Sequence, residues 1–286
     1  MLPMIGFFLA SVVAQAKQGS AVEIRIPNEP HVTSVAVVWR KAKVPAVLAG
    51  NDWVTILGVD LDAKPGQQKT EAVLTKDNGS VERREVSVSV VAKKFPSTSL
   101  KVAGKFVELN RPDLSRSQRE SSEVSAIYRR ITTSIVPDEA FTDPIPGVTG
   151  TNFGERRIFN GVPRAPHSGA DLHAAAGTAV HATNRGRVVL AKSLFFTGNT
   201  VILDHGLGIY SLYAHLSRID VKSGEIVKNG QVVGLVGATG RVTAPHLHWG
   251  MRAQGARVDP FSLVGHSLRG EGGDAPRGSP EPLRRY

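Results

Sequence analysis

The 286-residue chain contains no cysteine. Disulfides, thiolate nucleophiles and cysteine-ligated zinc fingers are therefore excluded, and any bound metal must be held by His, Asp or Glu. Long apolar runs are missing too, since no stretch reaches the roughly 18 residues expected of a membrane span. Aromatic residues are sparse at 6%, and no interleaving of aromatic and basic side chains marks a nucleic-acid surface, so nucleic acid is not an expected partner. What the chain has in excess is positive charge: 35 Lys and Arg against 25 Asp and Glu, a net +10. That balance favours contact with anionic envelope polymers, although the basic residues are scattered.

The length leaves room for about two domains on the usual prior of roughly 100 to 200 residues each. An apolar run from Leu2 to Val13, followed by Ala14-Gln15-Ala16 and Lys17, matches a secretory signal with a small-x-small cleavage site. Residues 1–16 are read as a signal peptide, which places the mature protein in the periplasm or outside the cell. The lead carries no Lys or Arg, and the alternative is a retained buried strand. Residues 17–99 read as short strands rich in β-branched residues, with Val86, Val88 and Val90 alternating with serines and "KDNGS" supplying a hairpin turn, as in a small β-sandwich. Over 100–149, Val124, Ile127, Tyr128 and Ile131 fall at helical spacing, and "VPDEAFTDPIPGVTG" then breaks the chain into a linker. Residues 150–264 are again β-rich and punctuated by glycine, a pattern that carrier domains share and that says little about function. Residues 265–286, rich in Gly, Pro and Arg, read as a disordered tail.

Histidine placement carries the chemistry. In "TAPHLHWG", an extended chain turns His246 and His248 to one face and Leu247 to the other. In "PHSGADLH", His167 and Asp171 are four apart, and both a strand and a helical turn let them converge. Catalytic zinc takes three protein ligands and keeps a position for water. His167, Asp171 and one histidine of the HxH pair fill that requirement, which leaves the other and His215 of "LYAHLS" for proton transfer.

"FGERRIFNGVPRAPHSGADLHAAAGTAVHATNRGRVV", "GNTVILDHGLGIYSLYAHLS" and "VKSGEIVKNGQVVGLVGATGRVTAPHLHWGMR" together resemble the LytM-type, lysostaphin-like zinc endopeptidases that cleave peptide bonds in bacterial peptidoglycan. The resemblance covers about residues 150–262, and a looser one extends upstream to exported Gram-negative members. It implies a mainly β fold with a LytM-type peptidase domain behind the small sandwich and helical linker. It assigns Zn2+ to His167, Asp171 and His248, catalytic positions to His215 and His246, and peptidoglycan peptide stems as the partner. The chain departs from the commonest pattern at Val242 and Ala244, where Ser and Gly are more usual, and at Trp249-Gly250, which puts substrate detail in doubt rather than metal binding. Arg157, Asn160 and Arg164, just upstream of His167, are candidate groove residues. His31, His173, His181, His205 and His266 have no motif role and read as surface or structural. Some LytM-type domains are non-catalytic regulators of other wall hydrolases; these typically lack metal ligands, which this chain keeps. The N-terminal segment has no such cluster, so residues 141–286 are expected to suffice for the chemistry.

Overall fold

Val86, Val88 and Val90 alternate with polar residues, and all three point into one core at 3% exposure or less. They belong to the first half of a mainly β chain, seen here in a computed structural model that describes residues 12–100, 109–134, 136–137, 139–150, 152–163 and 165–268. The strands are β1 (Val12–Lys17), β2 (Ser20–Pro27), β3 (Val32–Trp39), β4 (Ala42–Pro45), β5 (Val47–Ala49), β6 (Asp52–Val59), β7 (Gly66–Lys76), β8 (Val81–Val91) and β9 (Ser97–Leu100). A five-stranded sheet in the order β1-β8-β7-β3-β4 faces a three-stranded sheet, β2-β6-β5, across a core of aliphatic residues and Trp39. This is the expected sandwich. The turn in "KDNGS" closes β7 onto β8, with Gly79 at φ +78° and the Asn78 side chain accepting from the Ser80 amide. The Ala14-Gln15-Ala16 segment lies inside β1, paired in parallel with Val88, Ser89 and Val90, and Ala16 is buried. Residues 1–11, the rest of the signal-like lead, fall outside the described residues.

The helix expected from Val124, Ile127, Tyr128 and Ile131 is α1 (Arg111–Tyr128), which ends before Ile131 and is started by Asn110, whose side chain accepts from the Asp113 amide. Behind it come β10 (Arg156–Phe159), β11 (Val162–Pro163), β12 (Gly169–Leu172), β13 (Ala179–His181), β14 (Gly186–Leu194), β15 (Gly198–Gly206), β16 (Ile209–Ile219), β17 (Ile226–Val227), β18 (Val232–Val236), β19 (Leu247–Ala253) and β20 (Ala256–Val258). Most join one sheet in the order β12-β19-β16-β15-β14-β17, with β13 and β18 paired at its side. One face of that sheet turns Leu247, Trp249, Met251 and Ala253 of β19 into the main core. The opposite face carries His248, Gly250 and Arg252, and α1 covers part of it through Ile127, Val124 and Tyr128 against Leu190, Leu194, Ile202 and Tyr210.

The two halves share their interior. Ala49, Val54 and Ile56 of β5 and β6 lie in the same core as Trp249 and Met251. Gln254 donates to the carbonyls of Ile56 (3.1 Å) and Leu207 (2.8 Å) and accepts from the Gly58 amide (2.9 Å), so one buried amide satisfies backbone groups from both halves. Arg257 closes on Asp60 at 2.6 Å and Asp62 at 2.8 Å. Burial pushes the Asp60 carboxyl up, but its bonds to Arg257 outweigh that and hold it below its ordinary value. The tail expected to be disordered begins inside the fold: Leu268 is 3% exposed in the core, and His266 lies 3.3 Å from Glu23. Residues 269–286 fall outside the described residues. No described helix is long and apolar enough to cross a membrane.

Candidate metal centre

Strand pairing brings the ligand candidates together. Asp171 of β12 sits directly opposite His248 of β19, so both side chains leave the sheet on the same outer face. His167 precedes β12 and folds back over it. Gly169 explains the fit: a Cβ there would meet the His248 ring at 2.9 Å, so only a glycine lets that imidazole lie flat against the neighbouring strand. Asp171 Oδ1 is 2.9 Å from His248 Nδ1 and 3.2 Å from His167 Nε2. One donor atom from each of the three residues falls within 4.8 Å of the others.

Those spacings suit a metal. Zinc arms of about 2.0 to 2.2 Å in a tetrahedron place neighbouring ligand atoms roughly 3.3 Å apart, close to the two contacts made by Asp171. The donor set is neutral imidazole and carboxylate, as zinc prefers. Burial pushes the Asp171 carboxyl up, but hydrogen bonds from His167 and His248 outweigh it and hold the group far below the usual carboxylate range, ionised and ready to ligate. Burial also lowers the pKa of His248, partly offset by Asp171. His167 Nδ1 is buried without a hydrogen-bond partner among the described residues.

His215 and His246 complete the cluster. Their ring centroids are 4.9 Å apart, and His215 lies 6.0 Å from His248. In regular alternation Leu216 of β16 would point away from the core that Tyr213 enters, yet both are in it. Between Tyr213 and Leu216, β16 has one residue more than the facing stretch of β15, and His215, at φ +63°, takes up the bulge with its imidazole on the cavity side. Its Nδ1 is 2.9 Å from the Thr239 carbonyl, and His246 Nδ1 is 2.9 Å from the Ala244 carbonyl. A carbonyl only accepts, so Nδ1 carries the proton in each ring and Nε2 is left bare when the ring is neutral. Burial, above all, pushes the pKa of His215 down to about 4, against the pull of the Thr239 carbonyl, and the ring is neutral near pH 7.

All five residues line one cavity of about 570 Å³, together with Arg157, Asn152, His173, Phe196, Thr197 and Arg241. Arg157 lies in the cavity lining, tethered to Glu155 at 2.9 Å. Asn160 sits in the exposed turn between β10 and β11 and is not part of the lining. Arg164 is outside the described residues. Two residues escaped the sequence reading. Asn152 grips the Asp171 carboxylate, donating to its Oδ2 at 2.7 Å and accepting from its amide at 2.9 Å. His173, read as surface or structural, lies at the cavity with its ring 6.0 Å from that of His246. A position two beyond Asp171 in "ADLH" could have flagged it; nothing local flags Asn152. His205 is structural, buried between the Arg185 carbonyl and the Ser211 hydroxyl.

Residues 165–260 match the model of Peptidase family M23. Among curated proteins, the peptidoglycan DD-endopeptidase ShyA of Vibrio cholerae is 42% identical over 110 residues, 38% of this chain and 26% of its own. The murein hydrolase activator EnvC of Escherichia coli is 29% identical over 214 residues, 74% of this chain and 50% of its own. The chain therefore spans about a quarter to a half of the length of these relatives. A crystal structure of a protein assigned to peptidase M23 from Pseudomonas aeruginosa superposes with a TM-score of 0.67 at 32% identity, covering 87% of this chain and 94% of that one. With Asp171 and His248 paired on adjacent strands beside His167, and a likeness that runs through both halves, the chain belongs to peptidase family M23.

Proposed function

We propose that the protein is an exported, zinc-dependent endopeptidase that hydrolyses peptide crosslinks of bacterial peptidoglycan. The observation that carries this reading is the convergence of His167, Asp171 and His248 beside two further histidines in one open groove. His167, Asp171 and His248 would hold Zn2+, which when bound supplies a Lewis acid and a water of pKa near ~7. His215 presents a bare, neutral Nε2 to the groove and is suited to take a proton from the attacking water. His246, on the same face as His248, has no Nε2 proton to give while neutral; once Nε2 has also taken up a proton, the ring is placed to hydrogen-bond the tetrahedral oxygen and to pass that proton to the leaving amine. Thr239 and Ala244 fix the tautomers of these two rings through their carbonyls. Asn152 holds the Asp171 carboxylate, and Arg157 and Arg241 add positive charge along the groove. Export is supported by the peptidoglycan substrate named for ShyA, which lies outside the cytoplasm.

A second reading, a non-catalytic activator of other wall hydrolases, is favoured by the long alignment to EnvC. The intact ligand set weighs against it. Purified protein assayed for zinc, and for loss of muropeptide crosslinks with and without chelator, separates the two. About one zinc per chain and chelator-sensitive crosslink loss are expected; zinc-free protein with no crosslink loss would favour the activator.

A further inference from the structure

The outer face of the sheet continues beyond the metal centre. From His248 the same face of β19 leads through Gly250 to Arg252, about 14 Å on at ~3.4 Å per residue. There the inner side of α1 and the β14–β15 turn enclose a second cavity of about 470 Å³, which shares Phe196 and Thr197 with the metal-centre groove. The two cavities therefore adjoin along one surface. Three arginines line the second one: Arg129, Arg252 and Arg257. Arg257 is committed to Asp60 and Asp62. The one carboxylate in the lining, Glu120, is held by Arg116 at 2.8 Å and by the Phe195 amide at 2.7 Å.

Arg252 is different. Its guanidinium lies over the Tyr128 ring, 5.3 Å from the centroid, and makes one long hydrogen bond, 3.4 Å, to the Ser168 carbonyl. No carboxylate among the described residues pairs with it, although a guanidinium offers five N–H donors. Burial, chiefly, lowers its pKa, with Tyr128 pulling it partly back, neighbouring Arg257 adding to the lowering and Asp60 opposing it. The Tyr128 ring and the Ser168 carbonyl occupy only part of the guanidinium and leave N–H donors for a planar anion.

We propose that this cavity is a subsite for a carboxylate of the substrate, with Arg252 as its binding residue and Arg129 adding charge at the mouth. The carboxylate would be carried about four extended residues from the bond being cut, the length of β19 between His248 and Arg252. This rests on reading the adjoining groove as the site for peptidoglycan peptides.

The test compares soluble crosslinked muropeptide dimers in two forms, free carboxylate and carboxamide, otherwise identical. The zinc-loaded full chain should cleave the carboxylate form with kcat/KM about tenfold or more above the carboxamide form, mainly through KM. Arg252→Met should bring that ratio close to one, and Arg252→Lys should retain part of it, with zinc content reporting that each variant is folded. Equal KM for the two forms in the unmodified protein, or a preference that survives Arg252→Met, overturns the subsite. Because the first comparison needs no variant, a misfolded Arg252→Met does not spare the proposal. If neither dimer is cut, the peptidase reading fails, and calorimetric titration of the same two dimers still decides: tighter binding of the carboxylate form supports the subsite, and equal binding rejects it.

Discussion

His248 and His215 are both imidazoles in one groove, but removing each should have a different consequence. His248→Ala takes away one of three protein ligands, so zinc and activity should disappear together. His215→Ala should keep about one zinc per chain while activity falls roughly 100-fold or more, the scale of a positioned acid-base group. Metal analysis and turnover on the same preparations check the pair; loss of zinc from His215→Ala would show that the division of roles is wrong. The HxH and HxxxD spacings suggest that His246, His248, His167 and Asp171 converge, whereas the place of His215 and the choice of His248 as ligand come from the family resemblance. Asn152 and Arg252 were not legible in the sequence: one reaches Asp171 through a loop, and the other matters because α1 folds over it, so neither proximity exists along the chain. A third histidine tests stability instead. Burial, chiefly, holds the pKa of His205 down to about 4, with the Arg185 carbonyl pulling it partly back. The unfolded chain takes up this proton near pH 6.5 and the folded chain only near 4. The stability that neutral His205 confers is therefore complete above pH 6.5 and lost as pH falls towards 4, about 3 kcal/mol in all. Urea midpoints measured across that range should fall with acid, and less steeply in His205→Gln.

At the scale of elements, β1 is the informative case. The small-x-small stretch Ala14-Gln15-Ala16 reads as a cleavage site, with a retained buried strand as the alternative, and the structure places it in the sheet beside β8. A chain beginning at Lys17 leaves that edge of β8 unpaired and takes Ala16 out of the core. Its Tm should be lower by about 5 °C or more than that of a chain beginning at Ser11, as seen by calorimetry. Equal melting would mean that β1 contributes nothing. Element types were otherwise readable: β-branched alternation marked the sandwich strands, and apolar residues at helical spacing marked α1. Where α1 packs was not, because its inner side is largely serine and its few apolar anchors could suit several surfaces.

For the whole molecule, the shared core alters what truncation should do. Residues 141–286 contain all five site residues, which from the sequence made that segment self-sufficient. Cutting there removes Ala49, Val54 and Ile56 from the main core and leaves Gln254 without two of its backbone partners. At about 1.5 to 3 kcal/mol for each large aliphatic side chain, that loss approaches the net stability of a typical domain. The truncated chain should be recovered poorly, with a lower Tm and reduced zinc content; full zinc loading and unchanged melting would show that the C-terminal half folds independently.

The left-handed turn at His215 sets stability against activity. A non-glycine residue at φ +63° sits where an L side chain is disfavoured by about 1 kcal/mol or more. Folding alone would prefer Gly or Asn at that position. Selection for thermal stability without selection for hydrolysis should therefore drift towards His215→Gly or His215→Asn, giving proteins that melt no lower than the original and have lost about 100-fold or more of the activity. A histidine persisting there across many generations of such selection would mean that its contacts with Thr239 and the groove outweigh the strain.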